Sequence, residues 1–407
     1  MRCGLLGKKL GHSYSPQIHS HLGPYTYELF EKSPDDLGVF LKSGEFSGLN
    51  VTIPYKKDVL EYCDELSECA KKLGAVNTIV KRTDGTLIGH NTDYFGFKAM
   101  VIRSSLSVAG KKVLVLGSGG ASATASAVLC ELGATVIVVS RTGENNYKNL
   151  NNHKDAAIIV NTTPVGMYPN TCASPLDLDL FPQLEGVFDV VYNPARTKLL
   201  LDAQSRGLVT ENGLWMLVAQ AKESAEWFMG TAIDDTMISK IHSVLQRQME
   251  NIVLIGMPGC GKTTIGKQLS ERLGRTFVDA DEEIVKIAGC SIPEIFKKYG
   301  EEQFRQYEAD VLKELGKQSG LIIATGGGCV TRPENYTSLH QNGCIVWIKR
   351  DISVLPTEGR PLSQQSKLDE MYRNRKPLYQ SFADHVVTND CPLQDTVQNI
   401  LTKVGYA

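Results

Sequence analysis

The chain has 407 residues, 42% of them hydrophobic and 22% charged, with 37 glycines and 16 prolines. That balance excludes a single small module and a chain disordered throughout, and at roughly 150 residues per domain it predicts two or three domains. A formal charge of −2, spread evenly on either side of Met249, excludes the basic excess of a nucleic-acid binder. Ten cysteines run from Cys3 to Cys391 without a C-x-x-C pair, so free thiols in a reducing cytoplasm are expected. The start lacks a signal-peptide core, and no apolar run approaches the ~18 residues that span a bilayer, so a soluble, cytoplasmic protein without a membrane partner is expected.

From the N-terminus, the first polar constellation is Gly11-His-Ser13-Tyr-Ser15-Pro16. Ser15 reads as the cap of a helix beginning at Pro16, which accounts for Ser15 and leaves Ser13 unexplained. Hydroxyls beside a helix start also suit a carboxylate. Three further segments follow: Asn50-Val-Thr52-Ile-Pro-Tyr-Lys56, Gly74-Ala-Val-Asn77-Thr and Gly89-His-Asn-Thr-Asp93. Taken alone, Lys56 reads more readily as a surface lysine than as a catalytic one.

Short β-branched runs alternate with helix-like stretches along the whole chain, which predicts an α/β fold with mainly parallel sheets. The strand Val113–Leu116 leads into Gly117-Ser118-Gly119-Gly120-Ala121-Ser122, a G-x-G-x-x-small turn before a helix. Such a turn brings backbone N–H groups and the helix dipole to a dinucleotide phosphate; the plainer alternative is an ordinary tight turn. The next strand, Thr135–Val139, ends at Ser140-Arg141-Thr142. NAD enzymes tend to place a carboxylate there, whereas Arg141 matches a 2′-phosphate and so selects NADP(H); the alternative is a solvated surface arginine.

Asp234 to Met249 has apolar residues at helical spacing and closes the first half. Then Ile252–Ile255 leads into Gly256-Met-Pro258-Gly259-Cys260-Gly261-Lys262-Thr263, a complete G-x-x-x-x-G-K-[ST] phosphate loop. Its backbone cradles phosphates, Lys262 reaches the β/γ oxygens and the Thr263 hydroxyl is placed for Mg²⁺. No guanine-selective N/T-K-x-D segment follows.

With Asn161–Met167, Val191–Thr197 and Gly213–Gln220 added in order, residues 1–249 closely resemble shikimate dehydrogenase. The resemblance implies reversible NADPH-dependent reduction of 3-dehydroshikimate to shikimate. It implies that Ser13 and Ser15 hold the carboxylate, that Thr52, Asn77, Asp93 and Gln220 hold ring hydroxyls, and that Lys56 is the acid/base paired with Asp93. Tyr192 would border the ring, and Gly117, Ser118, Gly119, Gly120, Ala121, Ser140, Arg141, Thr142, Val190, Gly213 and Met216 would bind the cofactor. Ala123 departs from the larger basic residue of many relatives, which leaves Arg141 as the main candidate for phosphate recognition.

From residue 250 to about 390, Phe277-Val-Asp279-Ala-Asp281, Gly300–Glu308, Ala324–Gly328, Arg360-Pro-Leu and Arg375–Tyr379 resemble shikimate kinase. By that resemblance Pro258, Gly259, Cys260, Gly261, Lys262, Thr263 and Thr264 bind ATP, while Thr263 and Asp279 organise Mg²⁺. Asp281 aligns the attacking hydroxyl, Arg305, Gly327 and Arg375 bind shikimate, and Arg360 comes from a lid. Two departures stand out: Asp351 to Gly359 contains no arginine, where relatives usually place one on adenine, and the stretch from Arg360 to Arg375 is short.

The resemblances imply a bifunctional enzyme with three domains: a substrate domain over 1–102, completed by about 221–249, an NADP-binding Rossmann domain over 103–220, and a P-loop kinase domain over 250–407. The alternative is a quinate/shikimate dehydrogenase fused to a non-catalytic ATP-binding regulatory module. Small-molecule substrates are the expected partners, and the sequence leaves monomer and homodimer both open.

Overall fold

The computed structural model of the chain describes residues 1–11, 13–355 and 365–406. It divides into two compact units, one comprising Met1–Gly166, Ala173–Tyr192 and Asp202–Val244, the other Met167–Cys172, Asn193–Leu201 and Leu245–Ala407. The fold is α/β, built on three sheets. No helix among the described residues is long and apolar enough to cross a membrane.

In the first unit, a mixed sheet is made by β1 (Arg2–Gly7), β2 (Thr26–Glu31), β3 (Gly48–Val51), β4 (Glu65–Leu66), β5 (Thr78–Lys81) and β6 (Leu87–His90) in the order β2-β1-β3-β5-β6-β4. Leu6, Leu49 and Ile79 are fully buried at its centre. A second, parallel sheet holds β7 (Lys112–Leu116), β8 (Thr135–Val139), β9 (Ile158–Asn161), β10 (Gly186–Asp189) and β11 (Val209–Glu211) in the order β11-β10-β9-β7-β8. The strand order reverses between β7 and β9, and in such sheets the crevice outside the carboxyl ends at that point takes the ligand. The helices Asp93–Arg103 and Leu214–Met229 pack closely because Gly96 has no side chain; a Cβ there would lie 2.6 Å from the Met216 carbonyl oxygen.

Two local expectations change. The first helix runs Ser15–Ser20 with Tyr14 at the N-cap and no side-chain cap, so Ser15 is its first residue and does not cap it. Ser13 takes the local role instead, its Oγ accepting from the Ser15 N–H at 3.2 Å. The helix expected from Asp234 runs Thr236–Met249, because the Asp234 carboxylate accepts from the Thr236 N–H at 2.8 Å and starts it two residues later.

The second unit is a five-stranded parallel sheet of β12 (Asn251–Ile255), β13 (Phe277–Asp279), β14 (Ile322–Ala324), β15 (Gly343–Lys349) and β16 (His385–Thr388), ordered β13-β14-β12-β15-β16. Every residue of β12 is buried, as expected of a central parallel strand covered on both faces.

Three histidines of the first unit are largely withdrawn from water, His90 with Glu223 Oε1 3.9 Å from its Nε2 and His242 near Arg103. Burial holds the imidazole of His19 down at about 3, and those of His90 and His242 down at about 4. An unfolded histidine protonates near pH 6.5, so between there and pH 4 the unfolded chain binds more protons than the folded one. Stability therefore falls as pH falls through this window, by about 1.4 kcal/mol per pH unit for each histidine. His90 Nδ1 lies 2.6 Å from Ser67 Oγ, so His90→Gln keeps a polar group there while removing the titration. Denaturant unfolding of the first unit at pH 7, 6, 5 and 4 should show a shallower acid decline in this variant; an unchanged slope would refute the assignment.

Candidate active sites

In the first unit, β3 and the turn after it deliver Thr52 and Lys56, and the helix beginning at Asp93 delivers the carboxylate. Lys56 Nζ lies 2.6 Å from Asp93 Oδ2, and the two side chains keep 31% and 19% of their surface. The pair is thus tightly matched and reachable by a ligand. Around it runs a buried polar chain. Tyr27 donates to Asn50 Oδ1 at 2.7 Å, Asn50 Nδ2 to Thr78 Oγ1 at 3.3 Å, and Thr78 to Asn77 Oδ1 at 3.1 Å. Asn77 Oδ1 also accepts from the Thr92 N–H at 2.7 Å, and the Thr92 hydroxyl reaches Gln220 Oε1 at 3.4 Å.

The chain of bonds links Asn77 and Gln220 to the turn carrying Asp93, while the Lys56 carbonyl accepts from the Val76 N–H at 2.7 Å. Ser15 faces the Tyr27 hydroxyl at the other end. Tyr192 packs edge-on to Tyr14, ring centres 6.2 Å apart. Tyr27, Asn50, Thr78 and Thr92 are connectors that the motifs did not single out. Asn50, Thr78 and Thr92 were within sight, lying inside the quoted Asn50–Lys56, Gly74–Thr78 and Gly89–Asp93 segments.

The dinucleotide turn is shaped for an anion. Gly117 has φ 116°, and a Cβ there would lie 2.8 Å from Thr162 Oγ1. The space over Gly119 and Gly120 is open, and the helix from Gly120 has no side-chain cap, which leaves its N–H groups for a ligand. Gly213 abuts the Val190 carbonyl oxygen so closely that any Cβ would collide with it, which brings these two candidates together. Ser140 Oγ is taken by the Gly143 N–H at 2.9 Å. Arg141 and Thr142 are exposed, and Arg141 has no hydrogen bond or salt bridge among the described residues. Ser118, Ala121 and Met216 lie on or beside the turn and the Leu214–Met229 helix; the chemistry of the set suits a dinucleotide phosphate.

In the second unit, a cleft of about 670 Å³ is lined by Pro258, Gly259, Gly261 to Thr264, Asp279, Asp281, Arg305, Glu308, Thr325 to Gly328, Arg350 and Arg375, among others. Gly256, Gly259 and Gly261 have φ of 144°, 82° and 104°, the left-handed backbone that lets the loop curl. Lys262 donates to the Gly256 and Met257 carbonyls at 2.8 and 3.1 Å. Thr263 donates to Asp279 Oδ2 at 2.8 Å. A hydroxyl beside one carboxylate is a hard-oxygen set that fits Mg²⁺ together with nucleotide phosphates; among the described residues there is no cluster of three or more His, Cys, Asp or Glu side chains to cage a metal alone. Cys260 is buried and its side chain does not line the cleft. Arg360 and the expected lid lie outside the described residues.

On the other wall, Arg305 pairs with Glu308 at 2.7 Å, and Arg375 donates to the Gly327 carbonyl at 3.0 Å. Tyr379, fully buried one helical turn beyond Arg375, donates to the same carbonyl at 2.5 Å. Asp281 Oδ1 and Glu308 Oε1 are buried without a partner among the described residues, and both would meet a Cβ on Gly326, at 2.8 and 2.6 Å. Two acceptors thus converge where only glycine leaves room, as a recess for hydroxyl donors requires. Burial, followed by the charges of Asp279 and Glu308, pushes the Asp281 carboxyl up to about 6, with Lys262 and Arg305 opposing. Burial raises Glu308 as well, against the pull of Arg305. Glu308 was not singled out from the sequence; its signal was the i,i+3 spacing to Arg305 on one helix.

Comparison with known proteins follows the same division. The family described as "Shikimate dehydrogenase substrate binding domain" matches residues 5–79, and "Shikimate kinase" matches residues 258–405. The shikimate dehydrogenase (NADP(+)) of Clostridium beijerinckii is 34% identical over 268 residues, covering 61% of this chain and 98% of that protein. The crystal structure of shikimate dehydrogenase 1 from Peptoclostridium difficile matches with a TM-score of 0.55 at 38% identity, covering 60% of this chain and 97% of that one. That of shikimate 5-dehydrogenase from Thermus thermophilus, in complex with NADP(H) and shikimate, matches with a TM-score of 0.55 at 31% identity, over 60% and 99%. The chain belongs to the shikimate dehydrogenase family and carries a shikimate kinase domain after it.

Proposed function

We propose that the protein is a bifunctional cytoplasmic enzyme that reduces 3-dehydroshikimate to shikimate with NADPH and then phosphorylates shikimate to shikimate 3-phosphate with ATP and Mg²⁺. The domain limits that go with this reading are 1–102 with about 221–249 for substrate, 103–220 for NADP and 250–407 for the kinase. NADPH supplies the hydride that reaches the ketone carbon. As the C=O bond becomes an alkoxide, Lys56 stabilises the charge and gives the oxygen a proton, and Asp93 keeps the ammonium in place. Ser13 and Ser15 orient the carboxylate end, Tyr192 borders the ring, and Thr52, Asn77 and Gln220 hold the hydroxyls. Arg141 takes the 2′-phosphate.

For the kinase, ATP is the phosphoryl donor; Thr263 and Asp279 would hold Mg²⁺, which would supply charge neutralisation there. Asp281 accepts the proton of the attacking hydroxyl as its oxygen bonds phosphorus, and ADP leaves. Arg305 and Arg375 offer forked donors to the carboxylate. The observation that carries the kinase reading is the convergence of Asp281 Oδ1 and Glu308 Oε1, both unpartnered, in the same cleft as the phosphate loop. A regulatory module that only senses ATP would have no use for a second recess of this kind.

A one-pot incubation of the full chain with 3-dehydroshikimate, NADPH, ATP and Mg²⁺ should yield shikimate 3-phosphate, one ADP for each NADPH oxidised. Accumulation of shikimate without ADP would leave the dehydrogenase standing and sink the kinase. Oxidation rates with shikimate and quinate, each with NAD and NADP, separate this reading from a quinate-accepting, NAD-linked one.

A further inference from the structure

Arg350 directly follows β15 and lines the cleft with Gly259, Lys262 and Thr263. It is half-buried, and among the described residues its guanidinium has neither a hydrogen bond nor an ion pair. The other arginines lining the cleft are occupied: Arg305 by Glu308 and Arg375 by the Gly327 carbonyl. A partly buried guanidinium with five unused donors, beside a phosphate loop, is matched to an anionic ligand.

The backbone ahead of Arg350 is locked to that loop. The Ile348 carbonyl oxygen lies against Gly256, where a Cβ would be 2.5 Å away. Asn389, just past β16, ties the two together, its N–H donating to the Lys349 carbonyl at 2.7 Å and its side-chain amide to the Cys260 carbonyl at 2.7 Å. The position of Arg350 relative to the phosphate site is therefore set by the sheet and does not depend on a lid.

The sheet order also settles which ligand it meets. Asp279, Asp281 and the Gly326–Gly328 turn lie at the ends of β13 and β14, on one side of the loop strand β12, whereas β15 lies on the other. In-line phosphoryl transfer puts the acceptor and the leaving nucleotide on opposite sides of the transferred group. The acceptor groups occupy the β14 side, so the β15 side faces the donor.

We propose that Arg350 is a nucleotide-binding residue, supplying to the nucleoside triphosphate the arginine contact that the stretch Asp351 to Gly359 lacks. The inference rests on the kinase reading above. Its test is built so that the two fail separately. Affinity of the full chain for N-methylanthraniloyl-ATP is measured by fluorescence, without turnover, alongside steady-state kinase kinetics. Arg350→Ala should weaken the analogue and raise KM for ATP by about tenfold, as expected for losing one charged hydrogen-bond donor set, with KM for shikimate within about twofold. Arg350→Lys, which keeps charge and loses the fork, should fall in between. If the alanine variant lacks a cooperative unfolding transition, Arg350→Gln is read in its place. Unchanged nucleotide affinity, or a rise confined to KM for shikimate, overturns the proposal. If the wild-type chain binds the analogue and transfers nothing to shikimate, the kinase reading fails, and the analogue affinities still decide for or against Arg350.

Discussion

Lys56→Ala should lower dehydrogenase turnover by about 10²–10⁴-fold in both directions, the usual loss when a general acid/base is removed. NADPH affinity should hold, because the dinucleotide turn at Gly117–Ala121 is built from backbone and takes nothing from Lys56. The physical reason for the large effect is that hydride addition creates negative charge on an oxygen, which a positioned donor must stabilise and protonate. Lys56 Nζ, 2.6 Å from Asp93 Oδ2, is held in place yet keeps access to ligand. Asp93→Asn should also slow turnover, by releasing the ammonium rather than removing it, so added amine should rescue Lys56→Ala and leave Asp93→Asn unaffected. Stopped-flow hydride transfer and equilibrium NADPH binding measure the two halves of this expectation. Turnover near that of the wild type would take Lys56 out of the mechanism.

The second large effect is expected at Glu308. Its side chain is fully buried, and its Oε2 sits 2.7 Å from an Arg305 guanidinium that is itself 7% exposed. Glu308→Ala removes the nearer of two carboxylate partners from a largely buried guanidinium at the cleft and leaves only Glu301, 3.2 Å away, which should cost about 1–3 kcal/mol. It also opens the recess beside Gly326, so shikimate phosphorylation should vanish as stability falls. Glu308→Gln preserves the volume and one acceptor for Arg305; it should fold and retain part of the affinity for shikimate. Trp347 lies in the second unit and Trp215 and Trp227 in the first, so unfolding followed by tryptophan fluorescence in single-tryptophan backgrounds reports the two units separately. Wild-type stability in the alanine variant would mean that Glu301 alone suffices for Arg305.

Legibility from sequence followed the range of the interactions. The phosphate loop and the dinucleotide turn are strand, turn and helix within about a dozen residues, so glycine spacing alone announces them. The Lys56–Asp93 pair was legible as two motifs, and its closeness waited on the sheet that brings β3 and the Asp93 helix together. Tyr27 was illegible, and Asn50 and Thr78, though inside quoted segments, had no legible role, because each is an ordinary strand residue until three different strands align them. The Ser13 and Ser15 roles were exchanged for a local reason: either hydroxyl can serve a helix start, and only the backbone decides which one does. Glu308 resembled one more surface ion pair on a charged helix. Burial, which no local pattern reveals, is what makes it a wall of the recess.

The central position of β12 bears on how the chain is made. This strand is the first of its sheet to be synthesised, yet Ile252 pairs with Ile322 on one side and Cys344 on the other. Parallel neighbours cannot be supplied by a hairpin, so both edges of an entirely buried strand stay open while the intervening chain emerges. During synthesis, the segment that later cradles phosphate is the one most exposed to pairing with another chain. The site at the heart of the finished sheet is thus also the point at which its assembly is most vulnerable.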